Sequence, residues 1–109
     1  MKIAIFNNSK PYNLSESFGS IKNLAAIINS NKNLTLQIET HTDNILDRKS
    51  IVLLSVARAE AIKALMVGMG VPSYQLKTKG FGASKPITDN RDEAHRRKNR
   101  RVEIEVISN

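Results

Sequence analysis

The chain has 109 residues, of which 40% are hydrophobic, and this suits one domain with a modest core. It contains no cysteine, which excludes disulfides and thiolate metal sites, and its two histidines are too few and too far apart to suggest a metal site. The formal net charge of +7 favours a polyanionic partner such as nucleic acid, anionic lipid or cell-wall polymer.

No apolar run approaches the length of a membrane-spanning helix, so we expect no membrane span in this chain. The apolar residues at 1–6 are too few for the core of a signal peptide. We expect residues 1–109 to form a single domain. Two alternatives stay open at this point, a cytoplasmic protein and a domain excised from a longer exported chain.

The N-terminal third predicts a strand, a helix and a second strand. Residues 2–6 predict the first strand, and the helix follows from an apolar stripe with spacings of three and four. Asn13 and Glu16 resemble a capping box at its start. Leu34, Leu36 and Ile38 alternate with polar residues, which is typical of a half-buried strand. The stripe of the helix consists of Leu14, Phe18, Ile21, Ala25 and Ile28.

A polar loop from about 41 to 49 separates the second strand from a second helix, predicted over 50–67. Gly68 and Gly70 are its stop signals. Arg58 lies beside its apolar stripe, near the N-terminal end. That stripe consists of Leu54, Ala57, Ala61, Ile62, Leu65 and Met69.

The C-terminal third predicts a strand over 74–79, a loop over 80–86, a short helical turn within 89–98 and a final strand. In the final strand Val102, Ile104 and Val106 alternate with two glutamates.

The predicted order is therefore βαβαββ. It favours an α+β two-layer sandwich in which two main helices cover one face of a small mixed sheet. The predicted core residues are Leu36, Ile38, Leu54, Ile62, Leu65, Val102 and Ile104.

Three charged positions stand at the ends of predicted elements. Asp43 follows a strand, Arg58 lies early in the next helix, and Arg100 and Arg101 open the last strand. A carboxylate and a guanidinium that face each other can hold an ammonium and a carboxylate on one ligand carbon. This pattern indicates binding rather than catalysis. The alternative is an ordinary salt bridge between Asp43 and Arg58.

Several spaced motifs resemble the OmpA-like peptidoglycan-binding domain, which is also found in Pal lipoproteins and MotB-type flagellar stators. The resemblance covers residues from about 34 to 107. The motifs are Thr40-His41-Thr42-Asp43, Leu54-Ser55-Val56-Ala57-Arg58-Ala59, Gly70-Val71, Gly80-Phe81-Gly82, Pro86 and Arg96-Arg97-Lys98-Asn99-Arg100-Arg101-Val102-Glu103.

The resemblance implies a non-enzymatic module on the periplasmic side of the bacterial envelope, which anchors a larger protein to the cell wall. It implies that Asp43 and Arg58 bind the diaminopimelate of the peptidoglycan stem peptide. The expected ligand-binding set also includes Thr42, Asn44 and Leu54. No metal, cofactor or nucleic-acid partner is expected.

Arg100 is expected to support this site. Strand alternation places it on the side of Val102, toward the helices, while Arg101 points with Glu103 toward the open face. A hydrogen bond from Arg100 to the Asp43 loop would fit this placement. The alternative is that Arg100 caps a helix or lies at the solvated edge of the sheet.

Two residues depart from the family pattern. Thr40 replaces the glycine before His-Thr-Asp, and Ile51 replaces an asparagine three residues before Leu54-Ser55. These changes predict weaker binding or preference for another diamino acid. His41 has no catalytic partner in the sequence, so we interpret it as a residue that orders the loop.

Two other functions remain compatible with the sequence. One is a basic nucleic-acid-binding domain, although no helix-turn-helix, zinc or aromatic RNA-binding motif is present. The other is a degenerate OmpA-like domain that contacts another protein.

Overall fold

A computed structural model describes residues 2–7 and 18–109. The predicted capping box at Asn13 and Glu16, and Leu14 of the first stripe, lie outside these residues. The expected order of elements is confirmed, and the predicted turn near residue 93 is a short helix. In chain order the elements are β1 (Lys2–Asn7), α1 (Phe18–Asn29), β2 (Thr35–His41), α2 (Arg48–Gly68), β3 (Leu76–Gly82), α3 (Glu93–Asn99) and β4 (Arg101–Ser108).

The sheet has four strands in the order β1-β4-β2-β3. β4 runs antiparallel to both β1 and β2, whereas β2 and β3 are parallel, so the sheet is mixed as predicted. His41 pairs with Arg101 at one end, and Thr35 pairs with Ser108 at the other.

The hydrophobic core lies between the sheet and the helices α1 and α2, as the two-layer prediction requires. Its apolar residues come from alternate positions of β2 and β4 and from one side of each helix, because these periodicities place such residues on one face. The buried core residues are Ile21, Leu24, Ala25, Ile28, Leu34, Leu36, Ile38, Ala59, Ile62, Met66, Val71, Leu76, Val102 and Ile104.

Helix α2 begins two residues earlier than predicted. Asp47 is its N-cap, and its carboxylate accepts a hydrogen bond from Ser50 N at 3.0 Å. The helix ends at Gly68, and Gly70 follows with a φ of +98°, a conformation that glycine adopts without strain. Among the helices of the described ranges, none is long and apolar enough to cross a membrane.

The buried face of α2 differs from the predicted stripe. Ser55 and Arg58 are buried, whereas the predicted core-facing stripe does not include them. Of the predicted stripe only Ile62 is fully buried, because the buried face of α2 is rotated relative to that stripe and includes Ser55, Ala59 and Met66. Leu65 and Met69 are partly buried and pack against the core. The stripe residues that are exposed or only partly buried are Leu54, Ala57, Ala61, Leu65 and Met69.

Strand β3 is shifted toward the C-terminus relative to the prediction. Residues Ser73–Gln75 form a 3₁₀ turn, so the strand begins at Leu76. The buried Gln75 amide donates to Asn31 O and to Leu34 O, both at 2.9 Å, and so fixes this turn against the loop before β2.

The predicted loop at Gly80 is part of β3. A Cβ at Gly80 would lie 2.5 Å from Val56 N, so glycine is required where the strand passes close to α2. The glycines of this motif thus serve close packing between helix and strand.

Ile62 is fully buried in α2 and tests this packing. Ile62→Ala should lower the free energy of unfolding by about 2–5 kcal/mol, because it removes buried methylene groups and leaves a cavity. Val56→Ala, at an exposed position of the same helix, should change it by about 0.5 kcal/mol or less. Urea unfolding measures both, and equal losses would contradict the orientation of α2.

Candidate ligand-binding site

The loop that follows β2 is fixed to the end of β3. Thr42 N donates to Gly82 O at 2.9 Å, and the Thr42 hydroxyl donates to Asp43 O at 2.8 Å. Asp43 Oδ1 accepts a hydrogen bond from Ile45 N at 3.2 Å, which forms a local turn. Thr42 and Asp43 are both buried, so the carboxylate has a defined position at the end of the sheet.

Ser55 joins α2 to the two strands beside it. Its carbonyl accepts a hydrogen bond from the buried Thr40 hydroxyl, and its own hydroxyl accepts one from Gly82 N at 3.0 Å. Arg58 lies three residues further along, on the same side of the helix, and is also buried. Thr40, the departure from the family glycine, therefore helps to hold α2 against the strand ends.

Arg100 lies between α3 and β4 and connects two carboxylates. Its Nη1 donates to Asp43 Oδ2 at 2.6 Å, and Nη1 and Nη2 reach the two carboxylate oxygens of Glu93 at 3.2 and 2.5 Å. Its side chain is 2% exposed. Asp43 thus forms an ion pair with Arg100. The alternative considered from the sequence was a salt bridge between Asp43 and Arg58.

The pKa values of this network follow from its contacts. The pKa of Arg100 is raised, mainly by its hydrogen bond to Glu93. Burial lowers this pKa in part, and the hydrogen bond to Asp43 raises it further. The hydrogen bond from Arg100 in turn lowers the pKa of the Glu93 carboxyl. Both effects favour the charged forms.

A cavity of about 200 Å³, which we call the inner cavity, lies between this loop and α2. Five of the six predicted ligand-binding residues are in its lining. The sixth, Asn44, is exposed and lines a larger neighbouring cavity. The inner cavity is lined by Thr42, Asp43, Ile45, Leu46, Ile51, Leu54, Arg58 and Arg100.

Three apolar residues of the inner cavity were missed by the sequence analysis as lining residues. Ile51 was noted only as a departure from the family pattern. Ile45 and Leu46 are exposed large apolar side chains in an otherwise polar loop. Two neighbouring apolar residues in a polar loop are unusual, and this pattern could have indicated that they line a binding site.

Asn99 and Glu93 were also missed. The buried Asn99 amide accepts from Ile87 N at 2.8 Å and donates to Thr88 O at 2.9 Å, so it holds the long loop after β3. Glu93 is the first residue of α3 and binds Arg100 from there. Each of these contacts joins two segments whose own sequence patterns do not predict that they meet.

The expectation that Arg101 and Glu103 face an open side of the sheet is wrong at this end. They are 4% and 7% exposed, and Arg101 donates to the Glu103 carboxylate. It also donates to Lys85 O at 2.9 Å, because the loop after β3 returns across this end. The basic residues of the motif at 96–103 therefore do not form one continuous solvent-facing stripe.

His41 belongs to the same buried network. Its ring stacks on Phe81 with centroids 5.1 Å apart, and its Nε2 lies 3.8 Å from the Glu103 carboxylate. Glu39, His41 and Glu103 bring potential metal-ligand atoms within 4.8 Å of one another. The guanidinium of Arg101 already supplies a cation to Glu103, so we assign this cluster a structural role.

The contact between Glu93 and Arg100 should make stability depend on pH. Since the pKa of Glu93 is lower in the folded protein than its ordinary value of 4.5, the contact stabilises above that value and is lost as pH falls through the folded pKa. Glu93→Gln should therefore lower the melting temperature at pH 7 and show a smaller further drop between pH 5 and 3. The matched control is Asp89→Asn, an exposed carboxylate paired with Arg91. Melting curves that are parallel for Glu93→Gln and the parent would contradict the coupling.

Comparison with known proteins gives the family. The OmpA family model matches residues 11–100. The chain is 37% identical over 90 residues to outer membrane porin F of Pseudomonas fluorescens, covering 83% of this chain and 28% of the porin. It is 32% identical over 85 residues to the peptidoglycan-associated lipoprotein of Buchnera aphidicola subsp. Baizongia pistaciae, covering 78% of this chain and 49% of the lipoprotein.

Solved structures agree with this result. The C-terminal domain of Helicobacter pylori MotB superposes with a TM-score of 0.85 at 26% identity, covering 98% of this chain and 86% of that one. The chain spans less than half the length of the two curated relatives. The match extends over most of its residues, and the chain belongs to the OmpA family.

Proposed function

We propose that this domain binds peptidoglycan without chemical catalysis, through the diamino acid of the stem peptide. In this role it anchors an envelope protein to the cell wall from the periplasmic side. The observation that carries the proposal is the inner cavity, where Asp43 and Arg58 lie in one lining with apolar side chains. The names of the relatives support it, since one is a peptidoglycan-associated lipoprotein.

The two charges suit the two ends of an amino acid. The Asp43 carboxylate accepts hydrogen bonds from a ligand ammonium, and the Arg58 guanidinium donates in parallel to a ligand carboxylate. A carboxylate has about four acceptor positions. Among the described residues, Ile45 N and Arg100 donate to Asp43 and occupy two of these positions, so acceptor positions remain for a ligand.

Arg100 acts in this proposal as a positioning residue. It is already shared by Asp43 and Glu93, and it holds the Asp43 carboxylate toward the inner cavity. Leu54 and Ile51 supply an apolar wall for the aliphatic part of the ligand. Thr42 fixes the loop through its backbone and hydroxyl.

Binding is favoured over catalysis by the chemistry of the lining. Among the described residues that line the inner cavity, the ionisable side chains are Asp43, Arg58 and Arg100. Asp43 and Arg100 already form an ion pair, which suits a fixed recognition group. The burial of Arg100 and Arg101 also weakens the nucleic-acid alternative, since neither presents its charge to solvent.

Sedimentation with purified cell-wall sacculi tests the function. The parent domain should sediment with sacculi, and free diaminopimelate should compete. The double variant Asp43→Ala, Arg58→Ala should stay in the supernatant, because both ends of the clamp are removed. The control Asp89→Ala, Arg91→Ala removes an exposed acid–arginine pair and leaves the net charge equally unchanged, so it should sediment like the parent. Retention of the first double variant would show non-specific attraction.

Calorimetric titration with a soluble stem peptide tests the roles of the two charges. Asp43→Asn and Arg58→Lys should each weaken binding about ten-fold or more, since a hydrogen bond to a charged group contributes about 1.5–3 kcal/mol. Lysine keeps the charge of Arg58 but lacks the planar fork. Attraction to a basic surface predicts the opposite, namely tighter binding by Asp43→Asn and no effect of Arg58→Lys. Thermal melting confirms that each variant is folded.

A further inference from the structure

The inner cavity has a larger neighbour, and the proposed function uses only the wall that the two cavities share. This outer cavity has a volume of about 470 Å³, within the range of sites for small ligands. Leu46 and Ile51 line both cavities and form an apolar wall that the two cavities share. A ligand bound in the inner cavity can therefore extend over this wall without leaving the protein surface. The outer cavity is lined by Asn44, Leu46, Arg48, Ile51, Val52, Phe81, Ala83 and Ser84.

The outer cavity combines an apolar floor with one cation. Ile51 and Val52 of α2 and Ala83, which follows β3, share this lining, and their side chains offer no charge. Among the described residues that line it, Arg48, the first residue of α2, is the one that carries a charge. This lining suits a small apolar group that ends in a carboxylate.

The covalent structure of a diamino acid gives the connection between the cavities. When its free ammonium and carboxylate are held at Asp43 and Arg58, its aliphatic arm leads away from them. The other end of the arm carries the bonds to the rest of the peptide. If the arm lies across Leu46 and Ile51, its peptide-bonded end lies in the outer cavity.

We propose that the outer cavity binds the residue that follows the diamino acid in a stem peptide, with a small apolar side chain on Val52 and Ala83 and its terminal carboxylate at Arg48. This inference rests on the proposed function and extends it. It makes the domain selective for stem peptides that keep this residue over those that have lost it.

The test compares two synthetic stem peptides by calorimetry. One ends at diaminopimelate, and the other carries one further alanine with a free carboxylate. The parent domain should bind the extended peptide about three- to ten-fold more tightly, as expected of one partly exposed charge-assisted hydrogen bond. An extended peptide that ends in an amide should lose this gain.

Variants locate the effect. Arg48→Gln should remove the preference for the extended peptide. Lys49→Gln, at the next exposed position of α2 and in neither lining, should keep it. Ala83→Leu should narrow the outer cavity and weaken binding of the extended peptide to the level of the shorter one or below. Free diaminopimelate should bind these three variants as it binds the parent.

Equal affinity of the parent for both peptides, with binding that still depends on Asp43, would overturn this inference and leave the proposed function standing. Equal losses in Arg48→Gln and Lys49→Gln would also overturn it, because they would indicate general attraction. Failure of every ligand to bind the folded parent would overturn both proposals.

Discussion

One guanidinium connects the segments that build the site. Arg100 binds Asp43 in the loop after β2 and Glu93 at the start of α3, and it stands itself at the start of β4. A buried cation of this kind requires its partners, because removal of one leaves an uncompensated charge away from water. The positions of the Asp43 loop and of α3 are therefore coupled, and the shape of the inner cavity depends on both.

The motif residues divide into two groups by what they contact. Thr40, Ser55 and Gly82 make the hydrogen bonds that join β2, α2 and β3. Asp43 and Arg58 instead line the inner cavity. The proposed site needs such support, because Asp43 and Arg58 would have to keep a fixed separation to contact the two ends of one ligand. Much of the family signature thus reflects geometry rather than ligand chemistry.

The sequence predicted those features that follow from local periodicity. Alternation in β4 placed Val102 and Ile104 in the core correctly, because a strand presents alternate side chains to one face. The predicted stripe of α2 was wrong at Ala57 and Ala61, which are exposed. The prediction assumed that only apolar residues of this helix face the sheet. The helix instead buries Ser55 and Arg58, which contact or line the polar site.

Long-range pairings could not be predicted in the same way. Asp43 and Arg100 are 57 residues apart, and no local pattern links them. The alternation placed Glu103 on the face away from the core, yet it could not show that the loop after β3 returns over that face. The resemblance to the OmpA-like domain gave Thr42, Asp43, Leu54 and Arg58 of the inner cavity, and strand alternation gave Arg100. Neither could supply Ile45 and Leu46, which lie in a loop between the motifs.

The strand register has a mechanical consequence. The site lies at the end of the sheet where His41 pairs with Arg101, whereas β1 begins and β4 ends toward the opposite end. Tension between a ligand in the cavity and a tether at Lys2 or Ser108 would run along these strands. Hydrogen bonds between antiparallel strands are perpendicular to that direction, so they are loaded together in shear rather than opened one after another. The topology therefore suits the anchoring role proposed for this domain.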